Sequence, residues 1–309
     1  MRLSKGGVNV RDRLVRSLVS LMVAASVLWL ASVAVLGQTP SAPSDCSNVP
    51  MLFHRCAMEK MKTFNPPRTP DGKPDLQGYW NRTVVSFDIE WPEKPRTGDG
   101  AGSAKTPERR SLVVDPADQN IPYQPWAAAQ MKTNLERYID PQVACAITSA
   151  PRVSYISPVS QIIQTPGYVV ILHEFNHMYR IIPTNGVPHV GSDIRLWGGD
   201  LRGRWEGNTL VVDTTNHRGM TWFDSAGDFF TDAAHVVERF TPVNIDTIHY
   251  SATIEDPNVF TRPWTIAAAV RRNKEPRFEL LEESCQEGES DFQHLRKIYE
   301  PYPGVKAKK

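Results

Sequence analysis

Residues 194–214 read IRLWGGDLRGRWEGNTLVVDT, and their reading decides the fold. Gly207-Asn208 sits between Arg204-Trp205-Glu206 and Thr209-Leu210-Val211-Val212. A Gly-Asn step supplies the positive φ angles of a two-residue hairpin turn, and aromatic and β-branched flanks suit pleated strands. The stretch is therefore expected to be the central hairpin of an all-β domain. Within it, Asp200-Leu201-Arg202-Gly203-Arg204-Trp205 repeats the pattern of Asp75-Leu76-Gln77-Gly78-Tyr79-Trp80. Both segments are expected to open a strand, with Gly allowing close backbone approach and Trp plugging the core.

Outward from this hairpin the chain is strand after strand. Ser111–Val114, Gln161–Gln164, Tyr168–Leu172 and Met178–Ile182 are short β-rich runs bounded by turn residues. Thr247 to Glu255 alternates most cleanly: Ile248, Tyr250, Ala252 and Ile254 share one face, and Thr247, His249, Ser251, Thr253 and Glu255 the other. Trp264, Ile266, Ala268 and Val270 repeat the alternation, and Phe278–Leu281 reads as a last strand. Helical spacing is confined to Met51–Lys62, Gln124–Tyr138 and a terminal segment, Asp291–Tyr299. In the second of these, Trp126, Ala127, Met131, Leu135 and Tyr138 form the expected apolar stripe. Eight to eleven strands with few helices predict an antiparallel barrel or sandwich, lipocalin-like by analogy, and exclude a parallel α/β sheet.

The 309 residues divide into an expected signal peptide (1–37), a linker and short helix (38–68), a β-rich domain (69–290) and a C-terminal helix and tail (291–309). Arg2, Lys5, Arg11, Arg13 and Arg16 precede an apolar run from Leu18 to Leu36, and Val35 and Gly37 suit cleavage before Gln38. The competing reading is an uncleaved anchor, since the run approaches bilayer-spanning length. A periplasmic or secreted protein with no span after signal removal follows. The remaining chain holds 30 basic and 33 acidic residues, a balance of −3, so it has no electrostatic footprint for nucleic acid. All four cysteines, Cys46, Cys56, Cys145 and Cys285, lie in the exported part. Three pairings are open; Cys46–Cys56, which is local, and Cys145–Cys285, which would tie the domain ends, are favoured.

The segments TPDGKPDLQGYW, QIIQTPGYVVIL, GRWEGNTLVVDTTN, TWFD, ERF, DPNVFTRPW and ELLEESCQEG together resemble a large family of exported bacterial proteins without an assigned activity. The likeness runs from about Thr69 to Gly288. It implies export and a β-rich fold, and no catalytic residue, substrate or cofactor.

His173-Glu174-Phe175-Asn176-His177 is a literal H-E-x-x-H. On a helix it would set two imidazoles on one face for Zn²⁺, with Glu174 activating water. Its neighbours, Tyr168–Leu172 and Tyr179–Ile182, favour strands, so a strand–turn–strand unit is expected instead. A hairpin could still join His173 and His177 with His189, or with His217 or His235, in a metal site. A second candidate is Asn216–Asp224, NHRGMTWFD. There Asn216, His217, Trp222 and Asp224, with Arg180 at the rim, would bind a sugar-like or carboxylated ligand, Trp222 serving as platform. Its bland counterpart is a connection whose aromatics enter the core. Asp224, Asp228 and Asp232 recur every four residues, too widely for a calcium loop, and read as solvated acids; Glu238 and Arg239 read as strand-face ion-pair partners. Three functions remain: a barrel binding a small or glycan-like ligand, a metal-dependent hydrolase built on Glu174 and a Zn²⁺ ion, and a structural envelope protein.

Overall fold

The computed structural model describes residues 46–83, 88–90, 111–143, 145–281 and 283. The expected signal peptide, the expected helix over Asp291–Tyr299 and Cys285 lie outside them.

Among the described residues, ten antiparallel strands form one sheet: β1 (Gly78–Arg82), β2 (Val113–Asp115), β3 (Val159–Thr165), β4 (Tyr168–His173), β5 (Tyr179–Pro183), β6 (Asp200–Glu206), β7 (Thr209–Thr215), β8 (His235–Asn244), β9 (Thr247–Glu255) and β10 (Trp264–Arg272). Nine run in the order β5-β4-β3-β1-β10-β9-β8-β7-β6, and β2 pairs with β10 off this path. The outer two approach each other at Gly203 on β6. A Cβ there would lie 2.7 Å from Ile182 Cγ2 and 3.3 Å from the Pro183 carbonyl oxygen of β5. The sheet is thus a nearly closed barrel, and Gly203 permits the tight seam.

The two ends of the barrel differ. One carries short turns: Pro166-Gly167 between β3 and β4, Gly207-Asn208 between β6 and β7, and Ile245-Asp246 between β8 and β9. Gly207 has φ +58°, as the hairpin turn requires. The other end carries the connections 174–178, 216–234 and 256–263 and the buried helix α3 (Val153–Ile156), the last after α1 (Pro50–Lys60) and α2 (Pro125–Arg137). His173, Glu174, His177, Arg180, Asn216, His217, Trp222, Asp224 and His235 all come from these connections or the strand ends beside them.

Inside, alternate residues of each strand build the core: Trp80, Ile162, Val169, Ile171, Ile182, Leu210, Val212, Val236, Phe240, Ile248, Tyr250, Ile254, Trp264 and Ile266. The opposite face of β9 is buried as well, with Thr247 and His249 at 1% and 2% exposure. The reason is α1, whose Phe53 stacks on His249 and whose Ala57 packs with Val243 and Ala269 outside the barrel. The Cys46–Cys56 disulfide ties the start of this helical cover to its own turn. Cys145 is also disulfide-bonded, and its expected pairing with Cys285 falls outside the described residues.

One expected strand is absent. Phe278–Leu281 is not a strand: it follows Pro276 and a positive-φ Arg277, Phe278 packs edge-on against Tyr79, and Leu281 is exposed. The helix expected over Gln124–Tyr138 is present as α2, with most of its apolar side chains turned to solvent. Trp126, Leu135 and Tyr138 are exposed, while Ala127 and Asn134 are buried. Asn134 donates from Nδ2 to the Gly227 carbonyl at 2.8 Å, so a hydrogen bond to the 216–234 connection sets the helix's orientation. No described helix is long and apolar enough to cross a membrane.

Candidate functional site

At the loop-bearing end, the barrel interior turns polar. Arg180 occupies the inward phase of β5 beside Ile182, and Glu238 that of β8 between Val236 and Phe240. The two form a buried bidentate ion pair: Arg180 Nη1 donates to Glu238 Oε1 at 3.1 Å, and Nη2 donates to Oε2. Ser154, delivered by α3, donates to Glu238 Oε1 at 2.7 Å and accepts from Arg180 Nη1 at 2.9 Å. Tyr250, across from Phe240 on β9, donates its hydroxyl to the same oxygen at 2.9 Å. Burial, and then the Glu238 charge, push that phenol well above its ordinary range, so it stays a donor.

A second pair lies beside the first. Ser160 Oγ is 2.8 Å from His173 Nδ1, the two residues facing each other across β3 and β4. Arg82, two residues beyond Trp80 on β1, reaches Ser160 Oγ with Nη2 at 3.5 Å. Burial lowers Arg82 to about 10, against the pull of Tyr250 and Glu238. Burial, then the Arg180 and Arg82 charges, hold His173 well below 6.5, so its imidazole is neutral. Arg82 Nε, Arg180 Nε and His173 Nε2 are sealed from solvent and have no protein hydrogen-bond partner. Among the described residues the Glu238 carboxylate is taken by Arg180, while the partly exposed Arg82 beside them reaches Ser160.

The structure separates the H-E-x-x-H residues. Strand β4 ends at His173 and β5 begins at Tyr179, joined by a short 3-10 turn, Phe175–His177, in which Asn176 and His177 have φ +56° and +48°. His173 points into the barrel and is buried, and His177 is exposed. Glu174 begins the turn, its backbone N–H donating to Val159 O at 3.1 Å. His189 lies elsewhere, on the outer face of β6 and β7 against Asp200 and Asp213. The expected metal set of His173, His177 and His189 does not converge, because strand alternation and a left-handed turn replace the helical i, i+4 face.

No family model matches the chain, and no curated protein matches it.

The expected ligand loop, Asn216 to Asp224, is mostly packing. Trp222 is 8% exposed and pairs with Phe229 through a backbone bridge, so it is no platform for a sugar. Asn216 Nδ2 bonds the Gly191 and Ile194 carbonyls, each at 2.9 Å, and holds the chain before β6. His217 is fully buried, its Nδ1 2.8 Å from Ser149 Oγ and its ring edge-on to Phe230; burial lowers it to about 4. Of the five expected ligand-binding residues, only Arg180 belongs to the polar cluster in the barrel.

Asp224 and Asp228 are buried, against the expectation of solvated acids; Asp232 is exposed and pairs with Arg195. Asp224 accepts the N–H groups of Ile89, Ala226 and Asp228, and Tyr123 donates its hydroxyl to Asp228 Oδ1 at 2.9 Å. Burial and then the Asp224 charge raise Asp228 well above the carboxylate range, and the two side chains share a hydrogen bond. Each of Asp88, Asp224 and Asp228 offers an oxygen within 4.8 Å of the others, and among the described residues these three alone have metal-holding spacing. Burial and the neighbouring Asp224 charge favour the protonated form of Asp228.

Sequence reasoning missed Arg82, Ser154, Ser160, Glu238 and Tyr250 as members of one site. A signal was present: Glu238 and Tyr250 sit in the apolar phase of β8 and β9, where an acid and a phenol need partners. Glu238 and Arg239, read as neighbouring strand-face pairs, have opposite fates. Arg239 turns outward to Glu206, and Glu238 inward to Arg180.

Proposed function

We propose that this barrel binds a small carboxylated or sugar-acid ligand at its loop-bearing end. The head group is taken between Arg82, Arg180 and His173. One observation carries the reading: the Glu238 carboxylate is taken by Arg180, the neighbouring guanidinium of Arg82 reaches Ser160, and Arg82 Nε, Arg180 Nε and His173 Nε2 lack protein partners among the described residues. Buried polar atoms are satisfied in the great majority of proteins, and uncompensated buried charge is costly. An anionic acceptor group answers both demands, and guanidinium groups match a planar carboxylate well. Arg82 is partly exposed, so it links the interior cluster to solvent and offers the first contact. Partly buried Tyr123 and Phe229 beside the core supply apolar surface at the same end.

The test uses the purified protein and three probes: acetate, glucuronate and octanoate, titrated calorimetrically. Saturable binding of one of them is expected, and Arg82→Gln is expected to abolish it while raising stability in the absence of probe. Heat signals that fail to saturate for all three, or an Arg82→Gln protein that binds as the wild type does, would leave a purely structural role for the cluster.

A further inference from the structure

The outside of the barrel is covered unevenly. Over β8 to β10 the outward positions lie under α1, with Phe53 on His249 and Ala57 against Val243 and Ala269. Over β3, β4 and β5 they stay open among the described residues. The ladders place Ile163, Val170 and Ile181 side by side across these three strands, all on the outward phase. Gln161, Leu172 and Tyr179 form the next outward row, and Tyr168 stands opposite Pro183 in the row on the other side. Tyr179 is 67% exposed, Ile181 52% and Tyr168 41%. Ile163, Val170 and Leu172 are half-buried. The three rows hold no charged side chain. A contiguous apolar face of this kind marks an interaction site.

The chain itself supplies the occupant. Glu283 stands at the loop-bearing end of this face, where its Oε2 accepts the N–H of Asn176 in the turn between β4 and β5. Beyond it, residues 291–300 read DFQHLRKIYE. At helical spacing Phe292, Leu295, Ile298 and Tyr299 share one side, and Gln293, Arg296, Lys297 and Glu300 the other. We propose that residues 291–299 dock as an amphipathic helix on the outer face of β3, β4 and β5, with their apolar side on Val170, Tyr179 and Ile181. Length supports it: a helix over 291–299 is about 13.5 Å long at about 1.5 Å per residue. The face from Leu172 to Tyr168 is about 14 Å long at about 3.4 Å per residue. Reach supports it as well, since the stretch from Cys285 to Asp291 extends up to about 20 Å, enough to leave the turn and lie along the strands. The barrel already takes one such cover, α1, on the outside of β8 to β10. No ligand enters this inference, which stands apart from the interior site.

The test compares the chain without its expected signal peptide, residues 38–309, with a version ending at residue 290, which keeps the whole barrel core and Cys285. Tyr168 and Tyr179 are nitrated with tetranitromethane and followed by mass spectrometry, while sedimentation reports the oligomeric state. Nitration of both is expected to be several-fold slower in the long chain at every protein concentration, with both versions monomeric. The pair Leu295→Asp and Ile298→Asp, which touches no core residue, is expected to restore the rate of the short version. Equal rates in the long and short versions overturn the proposal, as does protection that survives the paired substitution. Protection that appears only on dimerisation overturns it too, and places a second copy of the chain on this face.

Discussion

Arg180 and Glu238, from β5 and β8, meet inside the barrel in a bidentate ion pair whose acceptor oxygen Oε1 also takes hydrogen bonds from Ser154 and Tyr250. The pair connects strands that are not neighbours in the sheet. It therefore braces the wall across the interior where the loop-bearing end is polar. Removing the carboxylate strands a buried guanidinium and two donors. Glu238→Gln is predicted to destabilise the fold by about 3–5 kcal/mol in denaturant unfolding. The double replacement Arg180→Met with Glu238→Leu is predicted to cost less than that single change, because it removes the charges together. A Glu238→Gln protein as stable as the wild type would show that the pair carries no such burden.

The aspartate pair at the same end makes the opposite prediction. Asp228 is raised by burial and then by the Asp224 charge, so the folded protein keeps a proton that the unfolded chain releases near 3.8. The folded state then binds more protons, and stability falls as pH rises above 3.8 toward the raised value. Asp228→Asn keeps an acceptor for Tyr123 and needs no shared proton. Its stability relative to wild type is predicted to improve as pH rises above 3.8 in urea unfolding. Asp224→Ala, which strands the N–H groups of Ile89, Ala226 and Asp228, is predicted to destabilise throughout that range.

Acid sensitivity should come from the buried histidines. His249 lies under α1 against Phe53, with Nε2 3.0 Å from His54 Nδ1, and burial followed by the His54 charge lowers it to about 3. The unfolded chain takes up a proton as pH falls through 6.5, and the folded protein resists until about 3. The unfolded state binds more protons across that window, so stability is lost as pH falls from 6.5. Replacing His249 with Phe, which keeps the stacked ring, is predicted to flatten this loss in thermal unfolding at stepped pH. An unchanged acid slope would place the sensitivity elsewhere.

The seam of the barrel can be probed at one atom. A methyl group at Gly203 would lie 2.7 Å from Ile182 Cγ2 and 2.8 Å from Thr184 Cγ2. Gly203→Ala is predicted to cost about 1–3 kcal/mol by overpacking, and to raise amide exchange along β5 and β6 above that of β8 and β9. Uniform exchange in all four strands would mean that the seam is not where the barrel opens.

Much of the architecture was legible because its signals are local. The Gly207-Asn208 turn, the alternation of Thr247–Glu255 and the strand–turn–strand reading of Tyr168–Ile182 all depend on neighbours in the chain, and the strands stand there. Helical spacing located α2 but not its buried face, because burial of one helix face depends on what lies opposite it. Here that is the Gly227 carbonyl, which calls for Asn134. Trp222 and Asp224 sat in a stretch rich in chemical side chains, yet packing and backbone hydrogen bonds occupy them. Arg180 was singled out without its partner.

By itself the sequence determined that this chain pleats, where its turns fall, and that H-E-x-x-H lies between strands, since each follows from the steric preferences of adjacent residues. Only the tertiary structure decided that Arg180 meets Glu238 and that Asp213 gathers His189 and His235. Those meetings arise when a twisted sheet curls until its outer strands approach, and no periodicity along the chain encodes which inward or outward position will then face which.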